Sequence, residues 1–519
     1  MYIAHGQNIQ KGDIAMLTYS FSDLGTDSLY EHLYKSIKND IINGTLTSGS
    51  KLPSKRTFAK NLNISTITIE NAYAQLIAEG YIYSIPKKGY FVSQISEMPL
   101  AGLEPSPSIN AHNNAIAANS SSHMDTPENT LTSQQTSQSY KAELAQKHSD
   151  VGNTSSYVAD FLSNNVNHEN FPFSIWAKLM RETIAEDKES LMTPLPSGGS
   201  YELRSAISTH LLQFRGMKVE PQQIIIGAGT EYLYGILIQL LGRNRIYAVE
   251  DPGYKKISQV YNSNQVTCKY IPVTSNGIDI EALEQSNADI IHISPSHHFP
   301  TGIVTPVSKR YELLGWAAKA SSNQRYIIED DYDSEFRLMG RPIPSLQSID
   351  VMERVIYMNS FSKSLASTIR ISYMVLPKHL LESYNKTLSF YACTVSTFEQ
   401  YTLAKFIKQG YFEKHINRMR NHYRNLRDVL INSIKNSPIA DSCTIMEEDS
   451  GLHFLLKLNT KLSDATLKTK AKMHGINVSC LSDYYHIPED AQEHVLILNY
   501  SGINTDNITA AVSALEQII

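Results

Sequence analysis

The sequence predicts two folded domains of different class: a small α+β domain near the N-terminus, then a large α/β domain with a mainly parallel sheet and flanking helices. Three observations predict this. Residues 27–94 show a helical four-residue periodicity that gives way to a short strand–turn–strand pattern. From residue 156 to the end, apolar runs alternate with amphipathic segments, as strands alternate with helices. Between them, residues 95–155 are rich in Ser, Thr, Asn and Gln and poor in large apolar groups. Such a stretch buries too little surface to offset chain entropy and is expected to be a flexible linker.

A chain of 519 residues is expected to hold more than one domain, and 42% apolar with 19% charged residues is ordinary for a soluble globular protein. The cysteines, Cys268, Cys393, Cys443 and Cys480, are scattered and form no CxxC pair. That usage fits a reducing cytoplasm. The segment MYIAHGQNIQKGD lacks the basic-then-apolar pattern of a signal peptide, and no apolar run is long enough to span a bilayer, so a cytoplasmic protein without a membrane partner is expected. The net charge of −5 argues against general nucleic-acid binding. Its distribution argues otherwise: Gly44 to Ile69 carries Lys51, Lys55, Arg56 and Lys60 and no acid, a local basic stripe that can meet phosphates.

In the small domain, Leu29, Leu33, Ile37 and Ile41 form one helical stripe, stopped by Asn43-Gly44. Ser54 can cap a second helix carrying Lys55, Arg56, Phe58 and Leu62. Ser65 can cap a third, in which Ile69, Ala72, Tyr73, Leu76 and Ile77 share a face and Gly80 ends the run. YIYSIPKKGYFV then reads as a hairpin with Lys87 and Lys88 at its tip. Three helices and a basic-tipped hairpin describe a winged helix-turn-helix, whose third helix suits a major groove. Ser54, Arg56, Ser65, Thr66, Thr68, Lys87 and Lys88 are the expected contacts to double-stranded DNA. A small helical domain that binds another protein is the alternative from composition and charge alone. The sequence from Leu29 to Val92 resembles the GntR-type winged-helix domain. The pattern G-x-L-x-x-G-x-x-L-P-S-x-R runs from Gly44 to Arg56, and A-Y-x-x-L-x-x-E-G-Y-I from Ala72 to Ile82. Thr66 stands where that family often carries arginine.

Four segments of the large domain carry chemistry. In IIIGAGTEYLYGILIQLLG, a strand at Ile224–Ile226 leads through Gly227, Gly229 and Thr230 into a helix, a turn that can cradle a phosphate, though a plain strand-to-helix turn reads the same. In VEDPGY, Tyr254 follows a strand and can stack on a flat ring or sit in the core. In RYIIEDDYDSEF, Glu329, Asp330 and Asp331 end a buried strand, where ligands of parallel sheets bind. A carboxylate there can hold a pyridine nitrogen protonated, and the Tyr332 hydroxyl can bond the same ring. A divalent-metal site is the weaker alternative, since no further ligand cluster has suitable spacing. In VIYMNSFSKSLASTIRISYMVLP, Lys363 can form a Schiff base with an aldehyde, while Ser360, Ser362 and Arg370 can clamp a phosphate. In isolation a solvated surface lysine is the favoured reading of Lys363.

The order and spacing of these segments resemble the fold-type I aminotransferases, and the whole layout resembles the MocR subfamily of GntR regulators. The resemblance implies pyridoxal 5′-phosphate as cofactor, with Lys363 as the catalytic Schiff-base residue. It implies that Asp330 pairs with the pyridine nitrogen, Tyr332 with the ring O3′, and Tyr254 with the ring face. Gly229, Thr230, Ser360, Ser362 and Arg370 would hold the phosphate. Two departures stand out. In SPSHHFPTG, Phe299 occupies the place of an asparagine, which removes one usual partner of O3′ and leaves His297 or His298 as substitutes. In EHVLILNYSGIN no arginine is present to bind a substrate carboxylate, which argues against turnover of ordinary α-amino acids. The expectation is a dimeric DNA-binding regulator that senses an amine or pyridoxal phosphate itself. A working aminotransferase with a fused DNA reader, and a DNA-binding module on a pocket without cofactor, are the alternatives.

Overall fold

The computed structural model describes residues 19, 28–62, 64–85, 88–93, 157–162, 166–319, 323–338, 343–449 and 451–519. Lys87 and the linker expected over residues 95–155 lie outside them.

Helix α1 (Leu29–Ile42) begins where the Ser28 N–H donates to Glu31 at 2.7 Å. Asn43 caps its end and Gly44 turns away with φ +74°. Its stripe buries Leu33, Ile37 and Ile41, but Leu29, in the first turn, is 40% exposed. In α2 (Lys55–Leu62) the Ser54 hydroxyl accepts the Thr57 N–H at 3.2 Å. In α3 (Thr66–Ala78) the Ser65 hydroxyl accepts the Thr68 N–H at 3.1 Å. Ile69, Ala72, Tyr73 and Leu76 are fully buried, whereas Ile77, placed on the same face by its spacing, is 38% exposed because it lies at the edge of the packed stripe. Strands β1 (Lys51–Leu52), β2 (Ile82–Ile85) and β3 (Gly89–Val92) form an antiparallel sheet in the order β1-β3-β2, which completes a winged helix.

The winged helix shares its core with the large domain. Val307 and Tyr311, from the helix Val307–Ala318, pack into its apolar cluster. The Val307 N–H donates to the Glu79 carbonyl at 3.1 Å. Gly80 (φ +77°) has no room for a side chain, since a Cβ would lie 2.9 Å from that of Pro306. The buried Glu79 carboxylate accepts from Tyr34 at 2.7 Å and Gln75 at 2.5 Å, with Lys38 at 3.3 Å.

The large domain opens on β4 (Ala159–Asp160). Its main sheet has eight strands: β5 (Ile224–Ala228), β6 (Ile246–Asp251), β7 (Thr267–Thr274), β8 (Gly277–Ile278), β9 (Ile290–Ile293), β10 (Tyr326–Asp330), β11 (Val355–Ser360) and β12 (Ile371–Val375). They run β5-β12-β11-β10-β9-β6-β7-β8. The pairs joining β7, β6, β9, β10 and β11 are parallel, β12 is antiparallel to both neighbours, and β8 is antiparallel to β7. Every residue of β9 to β12 is buried, as expected of strands covered on both faces. A second, antiparallel sheet joins β13 (Cys443–Met446), β14 (His453–Leu458), β17 (Val495–Asn499) and β16 (Ser479–Cys480), while β15 (Ile476–Asn477) pairs with β4. This mixed, mostly parallel architecture agrees with the expected class.

Beneath β10 lies a buried ion pair, Arg215 to Asp331 at 2.7 Å, and Tyr357 donates to the same carboxylate oxygen at 2.7 Å. Arg310, fully buried, donates to the carbonyls of Pro295, Thr305 and Pro344 at 2.6–3.0 Å and so fixes both ends of the 295–305 loop.

Candidate functional site

The nine residues expected to hold a cofactor, Gly229, Thr230, Tyr254, Asp330, Tyr332, Ser360, Ser362, Lys363 and Arg370, line one cavity of about 220 Å³. It lies at the carboxyl ends of β10 and β11, beside the start of the helix Thr230–Leu241. A larger cavity, of about 570 Å³ around His210 and Arg420, is lined by none of them.

Asp330 ends β10. Its Oδ2 accepts the Tyr234 hydroxyl at 2.7 Å and lies 3.6 Å from His292 Nε2. Its Oδ1 is buried and has no hydrogen-bond partner among the described residues. Leaving a buried acceptor unpaired costs about 1–3 kcal/mol, so this oxygen fits a donor that enters the cavity, such as a ring N–H. Lys363 sits in the short helix Phe361–Ser364 directly after β11. Burial lowers its amine from the usual 10.5 to about 8, with Asp333 opposing the shift.

At the other end, Gly229 caps the helix Thr230–Leu241 with φ +92°, and a Cβ there would overlap the Arg370 guanidinium. A helix N-terminus flanked by Ser360, Ser362 and an arginine suits a phosphate. Arg370 is itself held by Glu231 at 2.7 Å, and Lys256 reaches that carboxylate at 2.5 Å. Burial pushes Glu231 up, but Lys256 and Arg370 outweigh it and bring the carboxyl down to about 2.

Tyr254 borders the cavity with its ring 5.9 Å from Phe299, edge to face. Of the two histidines in SPSHHFPTG, His297 faces Tyr332, with Nδ1 3.1 Å from the hydroxyl and 2.7 Å from Asp333. His298 points the other way, to Thr301 at 2.6 Å, and burial holds its ring down at about 3. No group of three or more metal-ligating side chains occurs among the described residues. Arg370 is the only arginine lining the cavity among them. Asn499 reaches it from β17, whose remaining residues are buried and apolar.

On the winged helix, Ser65 and Thr66 are exposed at the start of α3 and Thr68 is half-buried. Ser54 is exposed just before α2, Arg56 is exposed on it, and Lys88 is exposed at the hairpin. Lys55 is paired with Glu70 at 2.6 Å.

Residues 29–92 match the model of the bacterial regulatory proteins of the gntR family, and residues 156–515 that of aminotransferase class I and II. An uncharacterized HTH-type transcriptional regulator, YdeL of Bacillus subtilis, is 36% identical over 94% of this chain and 96% of its own. The chain is a GntR/MocR-type transcriptional regulator. The probable rhizopine catabolism regulatory protein MocR of Rhizobium meliloti is 28% identical over 94% of this regulator and 93% of its own length. The pyridoxine biosynthesis transcriptional regulator PdxR of Corynebacterium glutamicum is 27% identical over 88% and 89%. The crystal structure of kynurenine aminotransferase from Pyrococcus horikoshii superposes with a TM-score of 0.62 at 22% identity, covering 72% of the regulator and 94% of that chain, which shows the fold. No helix among the described residues is long and apolar enough to cross a membrane.

Several cavity residues of the regulator escape the sequence motifs. Tyr234 lies one helical turn after Thr230, a spacing that could have found it. Glu231 and Lys256 adjoin motif residues and look like surface charges in sequence. His453 and Asn499 arrive from the second sheet, and only tertiary structure brings them in. On α3, Ile67 is 68% exposed beside Thr66, an apolar residue that the sequence reading did not single out.

Proposed function

We propose that this regulator binds double-stranded operator DNA through its winged helix and senses an amine, or pyridoxal 5′-phosphate itself, in the cavity around Lys363. The observation that carries the reading is one cavity with a low-pKa lysine, a buried carboxylate oxygen without a partner among the described residues and a glycine-opened helix start. Pyridoxal phosphate, when bound, supplies an aldehyde open to attack by a neutral amine. Asp330 would bind the ring nitrogen, Tyr332 the phenolic oxygen and Tyr254 the ring face. Gly229, Thr230, Ser360, Ser362 and Arg370 would bind the phosphate, and Lys363 would donate its neutral amine. Ser54, Arg56, Ser65, Thr66, Thr68, Lys87 and Lys88 would contact the DNA. The domains would span 27–94 and 156–519, joined by the 95–155 linker, in a cytoplasmic homodimer whose paired readers suit repeated half-sites.

The names of MocR and PdxR, regulators of rhizopine catabolism and pyridoxine biosynthesis, support a sensing role over turnover. So does the cavity wall at Asn499, which offers no arginine to a substrate carboxylate among the described residues. An absorption titration of the cofactor-loaded protein with candidate amines, beside a gel shift on its own upstream DNA, tests the proposal. An amine that alters both signals without net transfer to a keto acid is expected. Steady amino-group transfer would instead establish an aminotransferase.

A further inference from the structure

We infer that His297, clamped by Asp333, is the positioning residue that sets how strongly the Tyr332 hydroxyl donates to the cofactor's phenolic oxygen; this rests on the cofactor reading above. The 2.7 Å contact between His297 Nδ1 and Asp333 Oδ2 requires a hydrogen on that nitrogen, because a carboxylate only accepts. Nδ1 then has no lone pair for Tyr332. The tyrosine oxygen, 3.1 Å away, can only accept a share of the same N–H. The hydroxyl hydrogen of Tyr332 is therefore directed elsewhere, and Tyr332 lines the cofactor cavity. An N–H shared onto its oxygen polarises the O–H and strengthens the bond it donates.

The surroundings hold the imidazole in this pose. Gly451, at φ +72°, leaves the space for it, and a Cβ there would overlap the ring. His453 packs against it with ring centroids 4.7 Å apart. His297 Nε2 is buried and has no partner among the described residues, so the Asp333 contact sets the orientation. The other charged or titratable groups near the ring are Arg215 and Arg337, which share a small cavity with it, Glu447 on the segment after β13, and His298, while Lys363 acts on the neighbouring His453.

A donor on the phenolic oxygen stabilises negative charge there and disfavours the protonated chromophore. Weakening it raises the pH at which the visible absorption of the loaded protein titrates. The test uses the full-length regulator loaded with pyridoxal phosphate and a spectral pH titration of wild type, His297→Phe, His297→Gln, Tyr332→Phe and the double variant His297→Phe/Tyr332→Phe. His297→Phe is expected to move the midpoint upward by roughly tenfold in proton affinity, about one pH unit. His297→Gln, which retains an N–H donor, recovers part of the shift. In the Tyr332→Phe background, His297→Phe adds nothing. A midpoint unmoved by His297→Phe, or a shift that persists without the tyrosine hydroxyl, overturns the inference. If His297→Phe does not fold, His297→Leu in the same cycle decides it on the same criterion. A wild-type protein that gains no visible band on loading refutes the cofactor reading and this inference together; a band that ignores His297 refutes the inference alone.

Discussion

Capture of pyridoxal phosphate by the regulator should turn on near pH 8, where an ordinary lysine would still be almost wholly protonated. The nucleophile is the neutral amine, and burial of Lys363 brings its pKa from 10.5 to about 8, against the pull of Asp333. At pH 7.5 the neutral fraction rises from about one in a thousand to about one in four, a gain of about 200-fold. The perturbation is pH itself. The assay mixes apoprotein with excess pyridoxal phosphate between about pH 6 and pH 10 and follows the visible band. The rate should climb and level off with its midpoint near 8. Asp333→Asn removes a charge that favours the ammonium, so the midpoint should fall further. A rate that keeps rising tenfold per pH unit through pH 10 would show a solvated lysine and refute the reasoning.

Other parts of the molecule make separate predictions. Arg215→Met leaves Asp331 charged and buried without its ion-pair partner, and should cost about 3–5 kcal/mol in urea unfolding, with the visible band lost or displaced because Asp330 is its neighbour. Tyr234→Phe removes a 2.7 Å bond to Asp330 and should weaken cofactor affinity about five- to tenfold, read by equilibrium dialysis, at about 1 kcal/mol. Gly80→Val puts a branched side chain at φ +77° against Pro306, and should speed hydrogen exchange of the winged helix more than that of the main sheet. Arg56→Ala should lower DNA affinity uniformly across sequences and flatten the salt dependence by about one ion, as expected for an exposed cation on phosphate.

Local chemistry explains which features the sequence made legible. Caps at Ser54 and Ser65, the stop at Gly44 and the hairpin before Gly89 follow from short-range hydrogen bonding and backbone freedom, so the winged helix can be read directly. The parallel sheet is legible because strands such as Tyr326–Asp330 end in charged residues after a buried run. Leu29 and Ile77, partly exposed despite their place on the apolar faces, lie at the margins of their stripes, where periodicity cannot say how far the partner surface extends. In the pocket, motif residues on adjacent strands were recoverable, but the choice between His297 and His298 was not. Adjacent residues in a loop can point in opposite directions, and only the folded loop held by Arg310 shows which one meets Tyr332. The antiparallel placement of β12 beside β5 is likewise a long-range choice. So is the contact of Glu79 and Gly80 with Pro306 and Val307, which joins the DNA reader to the loop that borders the cavity.

The most direct measurement is borohydride reduction of the cofactor-loaded regulator followed by peptide mass spectrometry. The account predicts a phosphopyridoxyl adduct on the peptide containing Lys363, absent from Lys363→Ala. An adduct only on surface lysines such as Lys378, or none at all, would contradict it.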